Sequence, residues 1–193
     1  RPMLFIGDGI AYSRAQAELT RVAELLGAEV WEANNGELNM DTTHPLYQGA
    51  TGHMFGAQSL PITRKGDVNL VCGTYMVPEV FPELGDIFTP GAQVIHFDLD
   101  SYEIAKNHRV TLGAVADPKL TLAALAEALE RTLSSAQRAA AQARSQAIGA
   151  AKAARIAEQK AKDAASRNDL PLHMARFMEE LAPRLPEDAV IFD

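Results

Sequence analysis

The chain has one cysteine in 193 residues, Cys72, so it can build neither a disulfide framework nor a cysteine cluster for zinc. Cys72 ends an apolar run and reads as an inert core residue. Histidine is also sparse. His44, His53, His96, His108 and His173 stand apart, with no HxxH or HExxH spacing, which argues against a metal centre. His96, next to Asp98 in an apolar stretch, is most simply a hydrogen-bonded core histidine. There is no Gly-x-Ser-x-Gly elbow and no set of residues ordered like a catalytic triad. No apolar run approaches the roughly 18 residues that a membrane span needs, and no secretory leader is visible. A cytoplasmic protein is expected. Positive charge is in deficit, with 18 Lys and Arg against 25 Asp and Glu and a net charge of −7. That balance argues against a general nucleic-acid partner or an acidic membrane surface.

What is present is an apolar content of 47%, ample for a buried core. Pro2-Met-Leu-Phe-Ile6 reads as a short strand, followed by the turn Gly7-Asp8-Gly9 and a helical run from Ala11 to Leu26. Leu19, Val22, Ala23, Leu25 and Leu26 form one apolar stripe on that helix, and Gly27 stops it. A second strand follows over Ala28 to Ala33. Strand, Gly-x-Gly turn, helix and strand make the opening unit of a Rossmann-like sheet. The polar stretch from Asn34 to Gly56 reads as a long loop, and a short helix is expected over Ala57 to Lys65. Strands are expected from Asp67 to the turn Gly73-Thr74, over Gln93 to Asp98, and weakly over Val110 to Val115. Pro78 and Pro82 break the intervening loop, and Ser101 to Lys106 is expected to form a short helix. Asp117-Pro118 caps a helix whose apolar side carries Leu120, Leu122, Leu125, Leu129 and Leu133. Together these predict an α/β fold, a doubly wound and mainly parallel sheet over residues 1–133 with helices on both faces.

Composition changes after residue 133. Over Ser134 to Arg167, 14 residues are Ala, with seven Lys or Arg and two acids, whereas residues 1–133 carry a net charge of −8. Such a segment has strong helix propensity but little to bury, and it reads as a helical linker over 134–167. Its basic character raises nucleic acid as an alternative, but no aromatic residues are interleaved to stack bases. From Asn168 a helix is expected to bury Leu172, Phe177, Met178 and Leu181, with a new strand from Ala189. Residues 168–193 read as the start of another domain, and the whole sequence as a piece of a longer polypeptide.

Three features could bind a ligand. Gly7-Asp8-Gly9-Ile-Ala-Tyr12 lacks the third glycine of G-x-G-x-x-G, so it is either a structural turn or a phosphate site. Between Gly9 and Asn34-Asn35 lie 24 residues, so GDG followed by NN matches a thiamine-diphosphate and magnesium fingerprint, in which Asp8 and Asn34 would share one ion. That match is either real or a coincidence of spacing. Gly73 ends a second strand in a glycine turn, and Asp98 at a strand end either meets a ribose hydroxyl or caps its own turn.

Several stretches in order resemble the central domain of the thiamine-diphosphate-dependent decarboxylase and synthase family. They are Pro2 to Gly9, Ala17 to Gly27, His44-Pro45-Leu46-Tyr47-Gln48-Gly49, Gly66 to Thr74, Gly91 to Asp100, and Glu103-Ile-Ala-Lys-Asn107. The family includes acetolactate synthases, benzoylformate decarboxylases, pyruvate oxidases and oxalyl-CoA decarboxylases. The resemblance implies a central, non-catalytic scaffold in a larger enzyme that cleaves or joins carbon bonds beside a 2-keto acid. It places thiamine diphosphate and Mg between other domains of two subunits, in a homo-oligomer (dimer or tetramer), with the activating glutamate and the metal motif outside this segment. No catalytic residue is therefore expected here. Gly7, Asp8, Gly9, Gly73 and Asp98 would be at most remnants of a nucleotide site. Synthases and oxidases hold FAD in this domain, next to an Arg- and Asp-rich run. This protein has Gly73-Thr-Tyr-Met-Val-Pro78 there, and no bound flavin is expected. Two other readings compete with this one: a stand-alone nucleotide-binding module of the deoxyhypusine-synthase-like Rossmann type, and a domain that itself binds thiamine diphosphate and Mg through GDG…NN.

Overall fold

Strand β1, Pro2–Ile6, lies at the middle of a six-stranded sheet in which every pairing is parallel. The structure is a computed structural model that describes residues 1–52, 59–76 and 86–190. The other strands are β2 (Glu29–Glu32), β3 (Tyr47–Ala50), β4 (Val68–Cys72), β5 (Gln93–Asp98) and β6 (Leu112–Val115). Their order is β3-β2-β1-β4-β5-β6, so strand addition reverses direction between β1 and β4. Phe5 of β1 faces Trp31 of β2 on one side and Val71 of β4 on the other.

Side chains alternate across β1 and feed two separate cores. Leu4 and Ile6 join Val30, Leu70, Cys72 and Phe97 beneath two helices, α2 (Gln16–Leu26) and α4 (Pro118–Thr132). Met3 and Phe5 join Trp31, Val71, Met76, Phe88 and Val94 on the opposite face, beside the single-turn helix α3 (Leu60–Thr63). A sheet covered on both faces needs apolar residues at consecutive positions. That is why β1 reads as an apolar run and β4 as a mostly apolar one, interrupted by the buried Asn69. The doubly wound fold expected from the sequence is the fold observed.

Several local expectations change. The helix expected over Ala11 to Leu26 is two helices, α1 (Gly9–Tyr12) and α2, because Arg14 takes a left-handed φ of 55° between them. The long loop after β2 contains β3, whose Tyr-Gln-Gly-Ala sequence has no alternating apolar signal. Of the short helix expected over Ala57 to Lys65, α3 is present, while Ala57 and Gln58 lie outside the described residues. Ser101 to Lys106 forms turns instead of a helix. On α4, Leu122 and Ala126 are buried, but Leu120 is 72% exposed and Leu133 lies past the last helical residue. Pro78, Pro82 and His53 lie outside the described residues.

The protein forms two compact units, Arg1–Ala150 and Ala151–Asp193. Helix α5 spans Ser135–Ala165 and begins with a capping box. The Gln137 amide N–H donates to Ser134 Oγ at 3.3 Å, and the Ser134 amide N–H donates to Gln137 Oε1 at 2.9 Å. Within the first unit its early turns pack on α2. Ala141 is buried, and the Arg144 guanidinium donates to the carbonyls of Leu26 and Gly27. Those carbonyls are among the last of α2, which a cation at that end satisfies and stabilises. Gly27 sits there at φ 58°, and a Cβ on it would collide with the Ala141 backbone.

In the second unit, α6 (Met174–Leu181) is held by an ion pair between Arg167 and Glu180 at 3.0 Å. The expected burial of Leu172, Phe177, Met178 and Leu181 does not occur: no residue of α6 is buried, and Phe177 is 50% exposed. So short a segment carries too few apolar residues to enclose its own helix. Ala189 and Val190 form no strand, and Ile191 to Asp193 lie outside the described residues.

Candidate functional site at the switch point

Ligands of open parallel sheets bind beyond the carboxyl ends of the strands, where strand order reverses. Here that point lies between the turn Gly7-Asp8-Gly9 after β1 and Gly73-Thr74 after β4. The two turns close on each other. The Gly9 N–H donates to the Gly73 carbonyl at 3.0 Å. A Cβ on Gly9 would lie 2.6 Å from Gly73 Cα, and one on Gly73, which has φ 62°, would lie 2.9 Å from Gly9 Cα. A Cβ on Gly7 would meet Thr74 at 2.6 Å and Asn34 Cβ at 3.2 Å. Gly9 and Gly73 are therefore required by the close approach of two backbones, and Gly7 by the side chains of Thr74 and Asn34. None needs a ligand to explain it.

The amides are equally committed. A phosphate cradle needs free N–H groups where the helix begins. The Gly9 amide is bonded to Gly73, the Ile10 amide to the Gly7 carbonyl at 3.0 Å, and the Ala11 amide to Asn39 Oδ1 at 3.3 Å. Helix α1 is a single turn and offers no further donors at its start.

Asp8 is tied into a polar network. Its Oδ1 accepts from the Glu37 amide at 3.0 Å and from Asn39 Nδ2 at 3.3 Å. Asn39 is fully buried and also donates to Glu32 Oε1 at 3.3 Å, so one amide nitrogen joins two carboxylates. Glu32 closes β2 with 5% exposure, and its Oε2 accepts from the Tyr47 hydroxyl at 2.7 Å. Burial, reinforced by that bond to Glu32, pushes the Tyr47 hydroxyl pKa upward. Asn39, Glu32 and Tyr47 are the polar residues that sequence reasoning missed. The available signal was Glu32 itself, an acid at the end of the second strand about 20 residues past the glycine turn, where dinucleotide folds place a ribose ligand. In this protein Asn39 and Tyr47 occupy it.

Asp98 caps its own turn, accepting from the Asp100 amide at 2.8 Å. Cys72 is enclosed, and burial pushes its thiol pKa up, helped by Asp98 and Asp117. His96 is a bonded core histidine, as its sequence context suggested. Its Nε2 lies 2.9 Å from the Thr74 carbonyl, and its Nδ1 accepts from the Ala105 amide at 3.4 Å. This pairing assigns the proton to Nε2 and ties β5 to the β4 turn. His108 stacks on His96 at 5.4 Å, and among the described residues neither of its ring nitrogens has a hydrogen-bond partner. Burial, and then the neighbouring His96, lower the His108 pKa to about 4. Among the described residues, no three His, Cys, Asp or Glu residues converge on a metal position, and no helix is long and apolar enough to cross a membrane.

The family model described as thiamine pyrophosphate enzyme, central domain, matches residues 1–125. The chain belongs to that family. A probable acetolactate synthase large subunit from Methanocaldococcus jannaschii is 36% identical over 132 residues, covering 67% of this chain and 22% of the relative. Acetolactate synthase from Mycobacterium avium is 30% identical over 129 residues, covering 67% and 21%. Among solved structures, the thiamine diphosphate-dependent 4-hydroxybenzoylformate decarboxylase of Rhodococcus jostii superposes with a TM-score of 0.56 at 28% identity, covering 67% of this chain and 24% of that one. Benzoylformate decarboxylase from Polynucleobacter necessarius gives 0.55 at 28% identity, with the same coverage. This central domain thus spans about a fifth to a quarter of the proteins it matches.

Thiamine diphosphate, which the family name implies, does not fit the Gly7-Asp8-Gly9 turn. The Gly9, Ile10 and Ala11 amides, at the start of α1, are bonded within the protein. Asp8 Oδ1 already accepts two hydrogen bonds within the protein, and Oδ2 lies where a Cβ on Gly36 would come within 2.7 Å. The structure does bring Asn34 against Gly7, as the GDG…NN spacing suggested, but Asn35 faces solvent. The flavin expectation rests on Gly73 to Pro78. Of that loop, Met76 is buried in the second core, and Val77 and Pro78 lie outside the described residues.

Proposed function

We propose that this protein is the central, non-catalytic scaffold of a thiamine-diphosphate-dependent enzyme acting on a 2-keto acid. The parent would be a carbon–carbon lyase or ligase of the acetolactate synthase or benzoylformate decarboxylase kind. In this reading thiamine diphosphate and Mg are held by other domains, and this domain spaces and supports them. The observation that carries it is the closed switch point: every amide at the start of α1 is bonded internally. Gly7, Asp8, Gly9, Gly73 and Asp98 then act as turn-forming residues in a fold whose nucleotide crevice is filled by its own side chains. FAD has no cradle at this turn, for the same reason. Residues 134–167 would serve as the link to the next domain and 168–193 as its opening segment. The exposed apolar residues of α6 support that assignment. The natural partners are the other domains and subunits of a cytoplasmic homo-oligomer.

A calorimetric titration of the protein with thiamine diphosphate and Mg, repeated with Asp8→Ala, tests this. No heat of binding is expected from either. Micromolar binding by the native protein that Asp8→Ala abolishes would transfer the cofactor to Gly7-Asp8-Gly9 and end the scaffold reading.

A further inference from the structure

The structure assigns a spontaneous modification site to Asn35-Gly36, the only Asn-Gly pair in the sequence. We propose that Asn35 deamidates through a cyclic imide while the protein stays folded, and that the product loosens the loop held by Asp8. Both residues are exposed, and neither lies in a helix or strand. Among the described residues, neither the Asn35 carboxamide nor the Gly36 N–H has a hydrogen-bond partner. The attacking amide is therefore free, and glycine sets no side chain in its path. The other asparagines serve as internal controls. Asn39 and Asn69 are fully buried and precede Met40 and Leu70, while Asn34, Asn107 and Asn168 precede residues that are not glycine.

The chemistry balances with water as the only co-reactant. The Gly36 nitrogen gives its proton to solvent and attacks Asn35 Cγ. A new bond from that nitrogen to Cγ closes the five-membered ring, and the bond between Cγ and Nδ2 breaks as Nδ2 takes a proton from solvent and leaves as ammonia. Water then opens the ring at either carbonyl, leaving an aspartate or an isoaspartate at position 35.

The fold makes the product consequential. Gly36 has no free space on the Asp8 side, because a Cβ there would already stand 2.7 Å from Asp8 Oδ2. The next amide, that of Glu37, donates to Asp8 Oδ1 at 3.0 Å. An isoaspartate adds a carbon to the backbone one residue before this contact, and either product adds a negative charge close to Asp8. The Glu37–Asp8 bond is lost first, and the Asn39 bridge to Glu32 slackens with it.

The test is ageing of the intact protein in mildly alkaline buffer, followed by peptide mapping for the mass change from amide to acid and by isoaspartate assay. The peptide containing position 35 is expected to convert while Asn39, Asn69, Asn107 and Asn168 keep their amides. Its rate should match that of the same protein in denaturant. Retention of the Asn35 amide alongside the others, or strong slowing on folding, would overturn the proposal. Asn35→Gln, a surface change that leaves the fold intact, should abolish conversion. Hydrogen exchange at Glu37 should accelerate in the aged native protein and stay unchanged in the aged variant. Unchanged exchange in both would overturn the claimed loosening. None of these readouts involves a cofactor, so failure here leaves the scaffold reading untouched, and the converse also holds.

Discussion

Gly9 and Gly73 meet with less room between them than a methyl group requires, and each blocks a side chain on the other. Gly9→Ala is therefore expected to lower stability by about 1 to 3 kcal/mol, the usual range for overpacking, measured as a shift in urea midpoint. The clash is with backbone, so no neighbouring rotamer can relieve it. His108 gives a second prediction. Its folded pKa of about 4 lies below the ordinary 6.5, so the folded state resists a proton that the unfolded state accepts. The stabilisation is complete above pH 6.5, falls as the pH drops from 6.5 toward 4, and changes no further below that. The total loss is at most about 3 kcal/mol. His96, lowered chiefly by its burial, works in the same direction. His108→Phe should keep a ring over His96 and flatten this part of the pH profile of the urea midpoint. An unchanged slope would show that His108 is not the titrating group. Neither residue effect was legible beforehand. Gly9 and Gly73 are visible as glycines, but their mutual contact depends on how the two turns are brought together across the sheet.

Among the elements, α5 depends most on a detail of side-chain placement. Arg144 supplies the donors that the last carbonyls of α2 lack. Arg144→Ala should destabilise the first unit by roughly 1 kcal/mol. Arg144→Lys should restore part of that, since it returns the charge without the paired guanidinium geometry. Comparing thermal midpoints of the three proteins decides it. Alanine content predicted that this segment is helical, because propensity is a local property. It could not predict where the early turns dock, because the contact is an arginine-to-backbone bond with only Ala141 and Ile148 as apolar support. The same limit hid β3, whose residues pair through backbone and carry little hydrophobic pattern. β1 and most of β4 were legible for the opposite reason: burial on both faces puts apolar residues at consecutive positions, as in Met3 to Ile6 and Leu70 to Cys72.

For the whole molecule, the division at Ala150 sets where a protease should stop. Limited digestion is expected to remove material beyond Ala150 and leave a stable core, identified by mass. The short helix α6 buries none of its residues and should protect its backbone weakly. Cleavage inside β1 to β6 at a comparable rate would contradict the division. At this scale the strand order was readable as a class but not as a sequence of neighbours. A βαβ opening implies a parallel sheet, yet only the packing shows that β4, not β3, lies beside β1. The switch point was the part of the candidate site that could be read from Gly7-Asp8-Gly9. The filling of that site was not, since neither Asn39 nor Tyr47 shows in its local sequence that it would turn toward Glu32.

The placement of β1 also bears on how the protein acquires its fold. Within this domain Phe5 is made before its partner Val71, which follows only after the whole of β2, β3 and α3. During that interval the nascent β1 can pair with β2 alone and keeps its other edge open. Closing so long an intervening loop is slow, and an unpaired apolar strand is a template for the wrong neighbour. Within this domain the central strand is made before the other five yet waits for β4 to cover its second edge, and the yield of correctly folded protein should depend on how quickly β4 emerges.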